Sequence, residues 1–458
     1  MRQRSFLTTI NKIQNIFTKP SICDGFFLAC SMNHTWIVLG ILSISIACNN
    51  NNSSTTTQSV NVKPPVTNIS AASKEPSATT DISFNTASAD KIVKDSFNIQ
   101  LASGKSFKLA VPKGFKIGIA AEGLRRLRLL TLSPDKRLFA TDMYDRSDNN
   151  KGRVLIFEGW NEQSHKFSKV TTYLDGLHNP NQVAFHKDFI YIAETDKLIR
   201  YAYKAGDNQP NGAAQTLASF PAYGLGYKYG GWHLTRSLAF HNDKLYVSVG
   251  SSCNACIEKE EIRASVVEMD PDGKNVKFYA RGLRNSVGIK WIGDELWATT
   301  MGRDLIGPDK PEDLFVKIKR DGYYGWPFYF QYQNKVYSDD QFKDSVRASF
   351  VKKPEVAFAG FKAHSAPLGF EYFKDFDDPL IKNSVLVCLH GSTSVWRQRG
   401  NSVVKVEGGN KYSDIVSGFL VGKTEAGRYG RPCDVLMKDA KSFYFTDDLN
   451  GVLYYVWK

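Results

Sequence analysis

One phrase recurs six times along the chain: a short apolar strand, a polar turn and a second apolar strand. The copies read LTLSPDKRLFATD from Leu130, VAFHKDFIYIAET from Val183, LAFHNDKLYVSVG from Leu238, IKWIGDELWATTM from Ile289, a stretched pair LGFEYF and SVLVCLHG from Leu368 and Ser384, and VLMKDAKSFYFTDD from Val435. The first four are spaced about 50 to 55 residues apart, a period typical of propellers and solenoids. A unit this short cannot bury its own apolar face, so the copies must stack on one another. Six of them predict an all-β fold, a six-bladed β-propeller with four-stranded blades.

The hairpin also locates the chemistry. Its first strand runs one way and its second runs back, so the residues before and after each phrase share one rim. The residues before the six phrases are Arg125, Arg126 and Arg128; His178 and Asn179; Trp232, His233 and Arg236; Arg284 and Asn285; His364; and Arg428 and Arg431. A solvated rim would mix in more acids. A His or Arg from every blade predicts a basic funnel suited to a small polyanion.

The formal net charge of +13 agrees with an anionic ligand, but the basic residues are scattered and no nucleic-acid motif occurs, so nucleic acid is not an expected partner. The N-terminal 47 residues read as an export leader. The apolar run Trp36–Ala47 is too short for a stable membrane span and ends in Ser45-Ile46-Ala47-Cys48, which looks like a bacterial lipoprotein cleavage site with Cys48 as the lipidated residue. Met32 is an alternative start. Residues 48–97, beginning NNNNSSTTTQ after Cys48, have the composition of a disordered tether, and the folded domain is expected over 98–458. These features predict a periplasmic or cell-surface lipoprotein whose membrane contact is the lipid alone.

Four cysteines remain beyond the leader and Cys48: Cys253, Cys256, Cys388 and Cys433. The pair in SSCNAC follows the third phrase. A zinc knuckle would need a second close pair, and c-type haem would need His where Ile257 stands; a local disulfide is the favoured reading in an exported protein. A second bridge between Cys388 and Cys433, on adjacent blades, is also allowed.

Three stretches carry candidate chemistry. In GGWHLTRSLAF (Gly230–Phe240), His233 stands just before an inner strand, where an imidazole can act as a general base. In GLRNSVGIKW (Gly282–Trp291), Arg284 offers a rigid donor fork and Asn285 a neutral amide. From Met301 to Pro327, Gly302, Asp304, Asp309, Glu312 and Asp313 form an oxygen-rich loop suited to Ca²⁺, although without EF-hand spacing.

Taken together, GLRN followed by V-G, then G-R-D, an acid-rich loop and YGWP resemble the soluble pyrroloquinoline quinone (PQQ)-dependent sugar dehydrogenases. W-H-x-T-R-S-L-x-F, V-G-S-S-C-N-x-C, H-x-A-P-L-G and H-G-S are similar to their sorbosone dehydrogenase branch. The resemblance runs from about Val111 to Trp457 and implies the same six-bladed fold. It implies oxidation of a sugar, aldose to lactone or aldosone to acid, with PQQ and Ca²⁺ as cofactors and a quinone, dye or cytochrome as electron acceptor.

By the same resemblance, His233 is the general base, and Arg284 with Asn285 contacts the quinone carbonyl end. Arg431 and Arg428 hold the cofactor's carboxylates, and His178 and Asp447 line the pocket. The carbonyls of Gly302 and Arg303 and the carboxylate of Glu312, with Asp313 as the alternative, ligate calcium. Two positions depart from the glucose-oxidising members: His390 stands where they carry a cofactor-binding Lys, and Trp232 where they carry an acid before the base. A calcium-dependent lactonase using Glu194 and Asp447, or a tethered propeller that binds without catalysis, are the alternatives.

Overall fold

In each of the six phrases the apolar residues alternate along two short strands joined by a tight polar turn, and each forms an antiparallel hairpin. The computed structural model of the chain describes residues 82–88, 91–222, 233–344, 352–392 and 397–458. The leader, Cys48 and Trp232 lie outside the described residues. The hairpins are Leu127–Leu132 with Leu138–Asp142, Gln182–His186 with Phe189–Ala193, Arg236–His241 with Lys244–Val249, Ile289–Ile292 with Glu295–Thr300, Pro367–Tyr372 with Val385–Leu389, and Pro432–Asp439 with Ser442–Asp447. Each is the inner half of one sheet. Neighbouring first strands touch in sequence, and the sixth touches the first, which closes a six-bladed β-propeller.

Two further strands complete each blade. Blade 3 adds a short parallel strand at Gly322–Tyr323. Blade 6 takes its outermost strand, Lys116–Ala121, from the start of the domain, so the ring is shut by main-chain hydrogen bonds rather than by side-chain packing alone. The core is divided among the six blade interfaces. Tyr246 and Val266 of blade 3 meet Leu296 and Val316 of blade 4, for example, and Phe139 and Ile156 of blade 1 meet Ile190 and Ile192 of blade 2.

A second device ties blade to blade. The hydroxyls of Thr141, Ser248, Thr299 and Thr446, at the ends of the second strands, donate to the carbonyls of Asn181, Ser286, Leu368 and Arg128 on the following blade, at 2.7–2.9 Å. At the centre, Leu129, Val287, Leu368 and Cys433 pack into an apolar plug.

The folded part begins earlier than the expected boundary at residue 98. The strand Lys94–Gln100 pairs with Ser106–Pro112, and Ile99, Leu101, Phe107 and Leu109 cover the junction of blades 5 and 6. Farther upstream, Phe84 packs on Trp297, Phe358 and Tyr372 with ring centroids 4.9–5.6 Å apart. An isolated aromatic in a polar run gives no periodicity to read, which is why the tether was expected to extend past it.

Candidate active site

Above the apolar plug lies a cavity of about 310 Å³ with Val287 and Leu368 in its floor. Five arginines line it, Arg126, Arg128, Arg146, Arg284 and Arg431, with His233, His364 and His390. The lining carboxylates are Asp304 and Asp313. Five of the six blades contribute a basic residue from just before the hairpin; blade 2 does not.

The cationic side is organised around one acid. Asp448 is buried and accepts from Arg126 at 2.7 Å, Arg128 at 2.6 Å and His390 Nε2 at 2.7 Å. Burial alone would raise its carboxyl, but Arg126, His390 and Arg128 hold it well below the usual range. His390 is pushed down to about 3 by burial and then by Arg431, so it is neutral and its one N–H goes to Asp448. Arg431 donates to the carbonyls of His390 at 3.0 Å and Gly391 at 2.6 Å, bonds that fix its guanidinium without neutralising it. One carboxylate among Arg126, Arg128 and Arg431 leaves this wall positive.

Blades 3 and 4 supply the other side. His233 sits at φ 49°, a backbone region that costs a non-glycine residue about 1–2 kcal/mol and is common where a side chain must be aimed. Its Nδ1 lies 2.9 Å from the Ser251 carbonyl and 2.8 Å from Ser251 Oγ. With Nδ1–H donating to that carbonyl, the neutral ring carries its basic lone pair on Nε2. Burial, then Arg284, holds the imidazole well below its ordinary value, so it is unprotonated at neutral pH. Arg284 is lowered by burial to about 10 and stays charged. Asn285 reaches only the Met301 sulfur with Nδ2, at 3.7 Å, and its buried Oδ1 has no hydrogen-bond partner among the described residues. Gly250 makes room for this pair: a Cβ there would lie 2.6 Å from both Asn285 Oδ1 and His233 Cβ.

The remaining expected site residues stand elsewhere. His178 does not line the cavity; it is clasped between Asp148 and Asp196 on the rim, and hydrogen bonding to Asp196 and Asp148 raises it to about 9. Asp447 is fully buried and accepts from the backbone N–H groups of Arg431 and Leu449. The repeat explains this placement: Asp142 ends its second strand, Glu194 directly follows its own, and both likewise accept from backbone N–H groups, of Arg126 and His178. The two acids that a lactonase reading would use are therefore spent on rim turns. Arg428 serves the neighbouring loop, bonded to the Ser392 carbonyl and paired with Glu425 at 3.0 Å.

The expected calcium ligands do not converge on the funnel. Gly302 lines it, but the Gly302 carbonyl accepts from Arg284 Nη1 at 3.0 Å. Arg303 is turned to Asp339, and Arg303 and Glu312 line a separate pocket of about 30 Å³ shared with Gly302 and walled by Tyr324, Trp326 and Phe330. Asp313 does face the funnel and accepts from the N–H groups of Gly302 and Ala366, each at 2.8 Å. The remaining cavity acid, Asp304, is bonded to His364 at 3.0 Å.

Cys253 and Cys256 form the local disulfide, whereas Cys388 and Cys433 are free and buried, so the second bridge is not made. The sequence reading missed Arg146, Ser251, Asn254 and Asp448. Of these, Asp448 had a signal: the sixth phrase ends in two acids, and the repeat accounts for only the first.

No protein-family profile matches the chain. It is 24% identical over 370 residues to an uncharacterised protein of Borreliella burgdorferi, covering 76% of this chain and 90% of that one. Among solved structures it is similar to the PQQ domain of Coprinopsis cinerea pyranose dehydrogenase in its holo form, with TM-score 0.61, 15% identity and coverage of 77% of this chain and 97% of the other. It is also similar to a calcium structure of a Trichoderma reesei carbohydrate-active enzyme of family AA12, with TM-score 0.62, 15% identity and coverage of 76% and 96%. The apo soluble aldose sugar dehydrogenase of Escherichia coli aligns with TM-score 0.52, 13% identity and coverage of 75% and 99%. At these identities what the chain shares with them is the six-bladed fold.

Proposed function

We propose that the chain is a PQQ-dependent sugar dehydrogenase that oxidises an aldose to its lactone or a hydrated aldosone to its acid. The observation that carries this reading is the charge of the funnel. Buried arginines outnumber the acids beside them on one wall, and a neutral histidine and a charged arginine stand together on the other. Leaving guanidinium groups buried without full compensation is costly, so the site is built for a multiply charged anion. A flat tricarboxylate matches the sign of this cavity, and the PQQ domain of a pyranose dehydrogenase shares the fold.

PQQ bound there would supply the hydride acceptor. Arg126, Arg128 and Arg431 would hold its carboxylates; His390 contributes a bond to Asp448 instead of a charge. His233 Nε2 takes the proton of the hydroxyl being oxidised, and the Arg284 guanidinium stabilises the oxygen on which negative charge develops. Calcium is assigned no step, because Arg303 and Glu312 face the smaller pocket. The electron acceptor is a quinone, dye or cytochrome, and Cys48 is the lipid attachment site of an exported protein.

PQQ titration of the purified protein, followed by calorimetry, tests the reading. Binding at micromolar cofactor and sugar-dependent dye reduction that His233→Ala abolishes are expected. No binding in that range would sink it.

A further inference from the structure

His233 and Arg284 are supported by the same short loop. Ser251 N–H donates to the Arg284 carbonyl at 2.8 Å, and Ser251 meets His233 Nδ1 through both its carbonyl and its hydroxyl. Three residues on, Asn254 meets Arg284 twice: its carbonyl accepts from Nε at 2.9 Å and its Oδ1 from Nη2 at 3.0 Å. The same Oδ1 accepts from Asp304 N–H at 2.7 Å, and Asn254 Nδ2 donates to the Asp304 carbonyl at 3.0 Å. Trp326 Nε1 closes on the Asn254 carbonyl at 3.1 Å.

The loop belongs to no strand. It follows Lys244–Val249 and precedes Ser265–Met269, and what constrains its path is covalent and local. The Cys253–Cys256 disulfide brackets Asn254 with a Cα separation of 6.2 Å, and Glu258 accepts from both Ser252 N–H and Ser252 Oγ. Without the bridge, the five hydrogen bonds at Asn254 and those of Ser251 and Ser252 would have to order the segment alone, against the entropy of a free loop.

On the reading that this funnel oxidises a sugar, we propose that Asn254, held by the Cys253–Cys256 disulfide, is a positioning residue that sets the Arg284 guanidinium and the Asp304 segment together. Turnover then requires the oxidised bridge, whereas anion binding by Arg126, Arg128 and Arg431, on other blades, does not. The two bridge cysteines are partly exposed and the two free thiols are buried, so mild reductant reaches the bridge in the folded protein.

The test compares the native protein, the same protein after mild reduction, Asn254→Ala and Asn254→Asp. Three quantities are read: kcat with sugar and dye, the PQQ dissociation constant, and the Arg284 Nε–H resonance of the cofactor-free protein, assigned with Arg284→Lys. Reduction or Asn254→Ala should lower kcat about 10- to 100-fold, with PQQ affinity changed less than about threefold. The Nε–H signal should be lost or shifted on reduction. Asn254→Asp, which keeps the Oδ acceptor for Arg284 and Asp304 N–H but loses the Nδ2 donor to the Asp304 carbonyl, should recover only part of the rate and keep the Arg284 signal closer to native than Asn254→Ala does. An unchanged kcat after thiol titration confirms reduction overturns the proposal, as does a loss of rate matched by equal loss of PQQ binding. If native protein neither binds PQQ nor oxidises sugar, the functional reading fails by itself. The Arg284 resonance then decides the positioning claim, which falls if the signal is unchanged on reduction.

Discussion

His390 gives its Nε2–H to Asp448 at 2.7 Å, and Asp448 is at the same time the shared partner of Arg126 and Arg128. His390 is thus a neutral strut, and the charge of the wall comes from arginines ahead of the first and sixth phrases. Asp448 also decides how the buried arginines are tolerated. Replacing it with Asn would leave two buried guanidiniums without their counter-ion, a change that typically costs about 3–5 kcal/mol. Asp448→Asn should lower the melting temperature markedly, and PQQ should restore more of the loss than it adds to the native protein. Thermal denaturation with and without cofactor checks this; equal increments would show that the ligand and Asp448 do not share the arginines.

His178 predicts a pH dependence unrelated to the funnel. Its ring is raised to about 9, first by hydrogen bonding to Asp196, from an ordinary value of 6.5. The folded protein therefore binds a proton that the unfolded chain has released between those values. The stabilisation is complete below pH 6.5 and is lost as pH rises through about 9, by about 2 kcal/mol after allowance for partial exposure. Denaturant titrations at pH 6 and pH 10 should show native protein losing this amount relative to His178→Gln.

Gly250 separates packing at the site from packing elsewhere. A Cβ there must displace Asn285 and His233, both of which bound the cavity, and His233 is already held in a positive-φ conformation. Gly250→Ala should reduce kcat more than about tenfold, while overpacking costs about 1–3 kcal/mol of stability. Steady-state kinetics beside a melting curve checks both; a variant with full activity would show that the pair does not need its present placement.

The fold was legible because the repeat is a physical necessity: each hairpin is stable only against its neighbours, so six copies leave one closed arrangement. The rim was legible because a hairpin returns its ends to one edge. What the repeat could not separate was which rim residues turn inward. His178 and Asp447 occupy the same rim as His233 and Arg431, but they are consumed by Asp148 and Asp196 in one case and by backbone N–H groups in the other. Those partners come from strand ends and loops outside the phrase. Glu312 and Asp313 are adjacent in the chain, at the point where the strand Asp313–Ile318 begins, and face different pockets.

Phe84 belongs to the folded domain. It is 9% exposed and contacts three aromatic side chains of blades 4 and 5, and the Asn85 side chain donates to the carbonyls of Pro379 and Lys382 at 3.1 and 3.0 Å. Lys405, whose side chain is buried, donates to the Ala87 carbonyl at 3.0 Å, so this short run also satisfies a charge that would otherwise be left inside the domain. Phe84→Ala should cost about 3 kcal/mol, within the range for a buried aromatic. A chain beginning after residue 90 should lose at least as much, since it also removes the acceptor for Lys405. Equilibrium unfolding of the two variants beside a chain beginning at residue 57 measures this. If all three unfold together, the segment is part of the tether after all, and the domain begins at the strand Lys94–Gln100.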